Sequence, residues 1–200
     1  MSSLNSSLKQ ATPQKGGIYR EAILGQVKSI NPLFADNSAT EDVNSLVFSG
    51  LTKINGNREI VPDLAESWDV SADKKSYTFK IRKNAKWQDG IAITANDIAF
   101  TIGLVQNPDT RSPLSANWNG VKYDVLDNET IRFSLPSSYG NFLANTTLGI
   151  LPKHKLADVK PSSLRSNEFN QRPVGSGPYK IDLLEVDSSV VDLKANPNYY

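Results

Sequence analysis

The sequence predicts an α+β (mixed α/β) domain, a mixed β-sheet with flanking helices and β-hairpins. Three observations predict it. Tyr77, Phe79 and Ile81 alternate with Thr78, Lys80 and Arg82, the period of a strand with one buried face. Thr94 stands three residues before Asp97, a capping-box spacing with Asp in place of Glu; Ile98, Ile102 and Val105 then form an apolar helical stripe that ends at Asn107-Pro108. Val121, Tyr123 and Val125 alternate, as do Ile131, Phe133 and Leu135, and the Asp127-Asn128 turn between them predicts a β-hairpin.

Residues 1 to 16 are Ser-, Gln- and Lys-rich with almost no apolar content, and read as a disordered leader or tether. Asn31-Pro32 ends an extended piece. A helix is expected from Thr40 to Leu51, capped by Thr40, with Glu41 and Asp42 in its first turn and Val43, Leu46, Val47 and Leu51 as its buried stripe. Asn55-Gly56-Asn57 marks a turn. Asp63 and Glu66 have helix-entry spacing beside Trp68 and read as capping or solvated carboxylates rather than an acid/base pair. Asp89-Gly90 is a turn pair.

After α-helical residues 94–106, Pro108 to Leu114 is a loop leading to Trp118. A short helix is expected over Tyr139–Asn145, a short apolar strand over Leu148–Leu151, and a polar loop with one helical turn over residues 158–172. Strands to about Glu185 and over Val190–Leu193 follow, and no internal repeat is present. Trp68 and Trp87 fall in patterned sequence and are expected in the core; Trp118 falls outside clear periodicity, so it either lines a ligand cleft or packs structurally.

Composition removes whole classes of function. The 200 residues carry a net charge of +1, which gives no electrostatic footprint for nucleic acid. With no cysteine there is no disulfide, thiolate metal site or cysteine nucleophile. His154 is the sole histidine, so His-rich metal sites are excluded, and its setting between Lys153 and Lys155 suits a solvated turn better than a catalytic triad. Gly175 and Gly177 lack the third glycine and following helix of a dinucleotide motif. No metal-spaced carboxylate pair appears, so no catalytic residue, metal ligand or cofactor is assigned. Sequons at Asn5, Asn128 and Asn145 carry little weight. No apolar run is long enough to cross a bilayer as a helix, and Met1–Ser7 lacks the pattern of a signal peptide.

Several stretches together carry a resemblance. They are Pro62-Asp63-Leu64-Ala65-Glu66-Ser67-Trp68, Tyr77 to Lys83, Lys86-Trp87-Gln88-Asp89-Gly90, Thr94-Ala95-Asn96-Asp97, Pro152-Lys153-His154, Pro173-Val174-Gly175-Ser176-Gly177-Pro178-Tyr179 and Asn196-Pro197-Asn198-Tyr199. In this order they resemble the family 5 extracellular solute-binding proteins, the peptide- and nickel-type binding components of ABC importers. The resemblance covers nearly all of residues 17–200 and implies the first lobe of a type II periplasmic-binding-protein-like fold, with the second lobe missing. It implies a first strand at Gly16–Ala22. It also implies a sheet subdomain over 17–60, an outer subdomain over 61–172, and a return into the sheet over 173–200, where Gly175 and Gly177 permit close backbone approach.

Function follows as an implication of the same resemblance: capture of an oligo- or dipeptide between two lobes and delivery to a permease, without chemistry. Nickel complexes, oligosaccharides and opines are alternatives within the family, and a non-transport scaffold is an alternative outside it. On the first-lobe side, the ligand positions fall on Asp36, Asn37, Ser38 and Leu114. Leu114 departs from the tyrosine found in relatives, and Trp118 is the substitute aromatic. The implied location is the periplasm or the outer face of the membrane, with a lost signal sequence and a lost lipid anchor.

Overall fold

The computed structural model describes residues 16, 18–186 and 190–200. The leader expected over residues 1–16 falls, except for Gly16, outside the described residues. Mixed α/β character is as expected, but every ladder among the described residues is antiparallel, where a mixed sheet was expected.

Four strands form the main sheet: β3 (Ala65–Val70), β4 (Ser76–Ile81), β5 (Lys122–Val125) and β6 (Thr130–Ser134), in the order β3-β4-β6-β5. Two smaller hairpins flank it, β1 (Thr52–Ile54) with β2 (Ile60–Pro62) and β7 (Tyr179–Glu185) with β8 (Val190–Ala195). The alternation in β4 and β6 sends Tyr77, Phe79, Ile81, Ile131 and Phe133 into the core. Phe79 meets Phe133 edge-on at 5.8 Å, and Trp118 and Phe142 close the cluster, with ring centroids 5.7 Å apart.

Helix α2 (Ala95–Gln106) covers this core, packing against β5 and β6. Its start is the expected one: the Asp97 carboxylate accepts the Thr94 N–H at 2.9 Å, and Ile98, Ile102 and Val105 are buried. The helical turn α3 (Phe142–Asn145) occupies part of the span expected for it, and α4 (Lys153–Leu156) is a second single turn. Two 3-10 turns, Pro161–Ser166 and Glu168–Asn170, replace the one helical turn expected in residues 158–172.

Helix α1 (Ser38–Val47) differs at both ends from its expected span of Thr40–Leu51. Its cap is Asn37, whose Oδ1 accepts the Thr40 N–H at 2.9 Å, so Thr40 lies inside the helix. At the far end the Val47 carbonyl accepts N–H groups from Ser176 and Gly177 at 3.0 and 2.8 Å, and Phe48 is already extended. Those donors satisfy a carbonyl that further helix would otherwise have used. The two glycines therefore permit a close approach to a helix end: a Cβ on Gly175 would collide with the Val47 carbonyl.

Three further expectations are corrected. Residues 65–70 form strand β3, so Asp63 caps no helix. It is 5% exposed, and its carboxylate accepts Tyr199 Oη at 3.2 Å and Tyr200 Oη at 3.1 Å, with Lys53 Nζ at 3.5 Å. Leu148–Leu151 forms no strand, because Ile150 N–H bonds Ser49 O while Leu151 N–H turns to the Thr101 hydroxyl, which leaves no ladder. Within Gly16–Ala22 the described residues make no strand; Ile18 and Tyr19 are about four-fifths exposed, at 80% and 84%.

Candidate functional site: two joined loops

Two loops hold the ligand positions implied by the sequence. The first runs from Asn31 into the start of α1. Its base is a buried amide network in which Asn31 Nδ2 donates to Asn170 Oδ1 at 2.9 Å and Asn31 Oδ1 accepts the Leu33 N–H at 3.0 Å. Asn170 Nδ2 in turn donates to the Leu164 and Arg165 carbonyls. Both amides are at most 2% exposed, so each satisfied partner matters. The second loop runs from Pro108 to Leu114. It is fixed by Ser112, 5% exposed, whose hydroxyl donates to Leu33 O at 2.9 Å and so joins the two loops.

Asp36 and Ser38 are exposed at the edge of the first loop. Asp36 Oδ1 accepts Asn37 Nδ2 at 2.7 Å, and its other oxygen has no hydrogen bond among the described residues. Asn37 is spent locally: besides capping α1 it donates to Gln26 O at 3.2 Å. Leu114 is half-buried and packs against the core from the second loop. Asp36, Ser38 and Leu114 thus sit on loops held together by the Ser112–Leu33 bond.

Trp118 is placed differently. It lies in a 3-10 turn, Ser115–Trp118, is 2% exposed, and packs against Phe133 and Phe142 with ring centroids 5.6 and 5.7 Å away. No face of the ring is open to a ligand, so it packs structurally in the core. A four-residue turn is too short to show periodicity, which is why the sequence left this position open. Trp87 is fully buried as expected and Trp68 partly so. Sequence reasoning missed Ser112 and Arg165; the Arg165 guanidinium lies 4.5 Å from the Phe34 ring centroid and covers the first loop. Neither has a local pattern that could have announced its partner.

His154 does not form a triad. Its Nε2 meets Asp89 Oδ2 at 2.9 Å, and Lys155 Nζ meets the same oxygen at 3.2 Å. Burial alone would raise the Asp89 carboxyl; hydrogen bonds from His154, Lys155 and the Ile91 N–H outweigh it and hold the group below the usual carboxylate range. Among the described residues no group of three His, Cys, Asp or Glu could hold a metal ion, and no helix is long and apolar enough to cross a membrane. Two surface cavities, of about 360 and 290 Å³, are lined by α2 with Tyr123 and by residues 116–142 respectively; neither includes Asp36, Asn37, Ser38 or Leu114.

The chain is similar to known proteins over most of its length. It is 32% identical to the oligopeptide-binding protein AppA of Bacillus subtilis over 99% of the chain and 37% of that protein. The structure of AppA in complex with a nonapeptide superposes with a TM-score of 0.83 at 30% identity, covering 88% of this chain and 36% of that one. NikZ from Campylobacter jejuni in complex with Ni(L-His) superposes with a TM-score of 0.81 at 34% identity, covering 88% and 35%. The chain therefore spans about a third of the length of the relatives it matches. The profile described as "Bacterial extracellular solute-binding proteins, family 5 Middle" matches residues 59–200, which takes in the main sheet, α2, the second loop and the glycine return. With the capping box, the helix-end glycines and the superposed fold in agreement, this chain belongs to the family 5 bacterial extracellular solute-binding proteins.

Proposed function

We propose that this chain supplies one wall of a two-lobed binding protein that captures a peptide outside the cytoplasmic membrane and hands it to an ABC permease. The observation that carries the reading is the match, over 99% of the chain, to a protein named as oligopeptide-binding. The site supports binding without chemistry: the groups it assigns to a ligand are an exposed carboxylate, an exposed hydroxyl and a half-buried leucine, none of them a paired base or nucleophile. In this reading Asp36 meets a basic ligand group through its free oxygen, Ser38 offers a hydroxyl, and Leu114 supplies apolar contact. Asn37 holds the loop and Trp118 packs in the core. A second lobe closes over this wall, excluding water and strengthening each polar contact. Placement in the periplasm or on the outer face of the membrane, with a lipid anchor, belongs to the same proposal.

The NikZ complex at 34% identity favours a second reading, a metal complex as ligand. One experiment separates them. The protein carrying this chain together with its second lobe is screened by thermal shift against a nonapeptide library and against Ni(L-His). A ligand at about 100 times its Kd adds roughly 2.7 kcal/mol to stability by mass action. A rise with peptides alone, lost in Asp36→Ala for peptides with a basic residue, is expected. A rise with Ni(L-His) alone overturns the peptide reading.

A further inference from the structure

The cavity of about 290 Å³ is lined by residues between Ala116 and Phe142 and includes none of Asp36, Asn37, Ser38 and Leu114. Its floor is apolar and rigid. Phe142 is fully buried within the Trp118–Phe133–Phe142 cluster, and Val121 and Leu135 lie beside it at 7% and 8% exposure. The turn at its edge is pinned by Gln106 Nε2, which donates to Trp118 O at 2.8 Å and Val121 O at 2.7 Å. Gly120 takes a left-handed φ of 72° in that turn, close against the Pro136 ring. Asn145 Nδ2 holds the Asn117 carbonyl from another side at 3.1 Å.

The rim has a different character. Asn117, Asn119, Ser137 and Ser138 line it, and Tyr139 stands at its edge with 49% of its surface exposed. None of these five side chains has a hydrogen-bond partner among the described residues. No lining residue is charged. Amides and hydroxyls each donate and accept, which matches a ligand whose own groups do both. An ion would find no counter-charge here, and a wholly apolar ligand would strip water from the rim without replacing its hydrogen bonds. The exposed tyrosine face, negative at its centre, suits the polarised C–H face of a saturated ring. An apolar floor with a few convergent polar groups is the usual form of a small-ligand site.

We propose that this cavity is a second binding site, separate from the peptide wall, for a small neutral polyhydroxylated ring such as a pyranose. The site is independent of the identity of the transported ligand. Its size and openness set the affinity in the millimolar range, on the order of 1 mM.

The test is a titration with D-glucose of the 15N-labelled protein that carries this chain together with its second lobe, followed by amide chemical shifts. Saturable shifts confined to residues 116–121 and 135–142 are expected, weakened about tenfold by Tyr139→Ala. Tyr139 is exposed, so the variant is expected to keep the spectrum of the rest of the molecule. Non-saturating shifts overturn the proposal, as do shifts centred on residues 31–38 and 112–114. Unchanged affinity in Tyr139→Ala overturns it as well, and tighter binding of D-glucuronate than of D-glucose overturns the neutral-ligand assignment.

Discussion

The Tyr200 hydroxyl donates to the Asp63 carboxylate at 3.1 Å, across 137 residues of chain. Tyr199 donates to the same oxygen at 3.2 Å, and Arg82 Nε holds the Asp63 carbonyl at 2.6 Å. Burial first, and the Asp63 charge second, push the Tyr200 hydroxyl well above the usual tyrosine range, so it remains a donor at any working pH. Asp63→Ala removes the acceptor from two hydroxyls at once. Lys53 is half-exposed and turns to water, so the cost falls mainly on the tyrosines. A loss of about 2–3 kcal/mol in urea unfolding is expected; a loss within experimental error would show that the contact contributes nothing.

Gly175→Ala is expected to be among the most damaging single-methyl changes in the chain. Its Cβ would collide with the Val47 carbonyl, which is backbone and cannot swing aside. A loss of at least about 2 kcal/mol is expected from overpacking. Gly56→Ala is the control: nothing lies within 4 Å of the added atom, and a change within about 0.5 kcal/mol is expected.

Asn37 is expected to behave as a structural residue. Asn37→Ala removes the α1 cap and costs about 1 kcal/mol by chemical denaturation, whereas Asn37→Ser restores most of it. If Asn37→Ala leaves stability unchanged and lowers ligand affinity instead, the side chain belongs to the ligand and not to the helix.

The Asp89 clasp predicts a pH dependence. Its carboxyl is lowered in the fold from an ordinary value of 3.8, so its contribution is complete above that value and fades as pH falls below it. With a quarter of its surface exposed, the contribution is about 1 kcal/mol or less. Wild type and Asp89→Asn should differ by that amount at pH 7 and converge as the pH falls well below 3.8. A gap that stays constant down to low pH would mean that the asparagine perturbs packing instead.

Legibility in the sequence followed the range of the interactions. Strand β4, hairpin β5–β6 and helix α2 were readable because alternation, a turn pair and a capping box are all local. Helix α1 was readable as a helix but not in its limits, since its end is set by Ser176 and Gly177, far along the chain. Asp63 was misread because its partners stand at positions 53, 199 and 200. Positions 36–38 and 114 came from family resemblance, whereas the Ser112–Leu33 bond that joins their loops leaves no trace in either segment alone.

The way α1 ends bears on the order in which the molecule assembles. A chain made from its amino terminus exposes Val47 long before Ser176, and the Ser49 N–H bonded to Ser176 Oγ at 2.9 Å waits equally long. Until residue 177 has been synthesised, the last turn of this ten-residue helix keeps carbonyls that only water can satisfy. An isolated helix of that length is marginal in water. The segment that carries Asp36 and Ser38 therefore takes its final shape only after residue 177 has been added, and a ribosome paused before the glycine return would present it to chaperones and proteases unfinished.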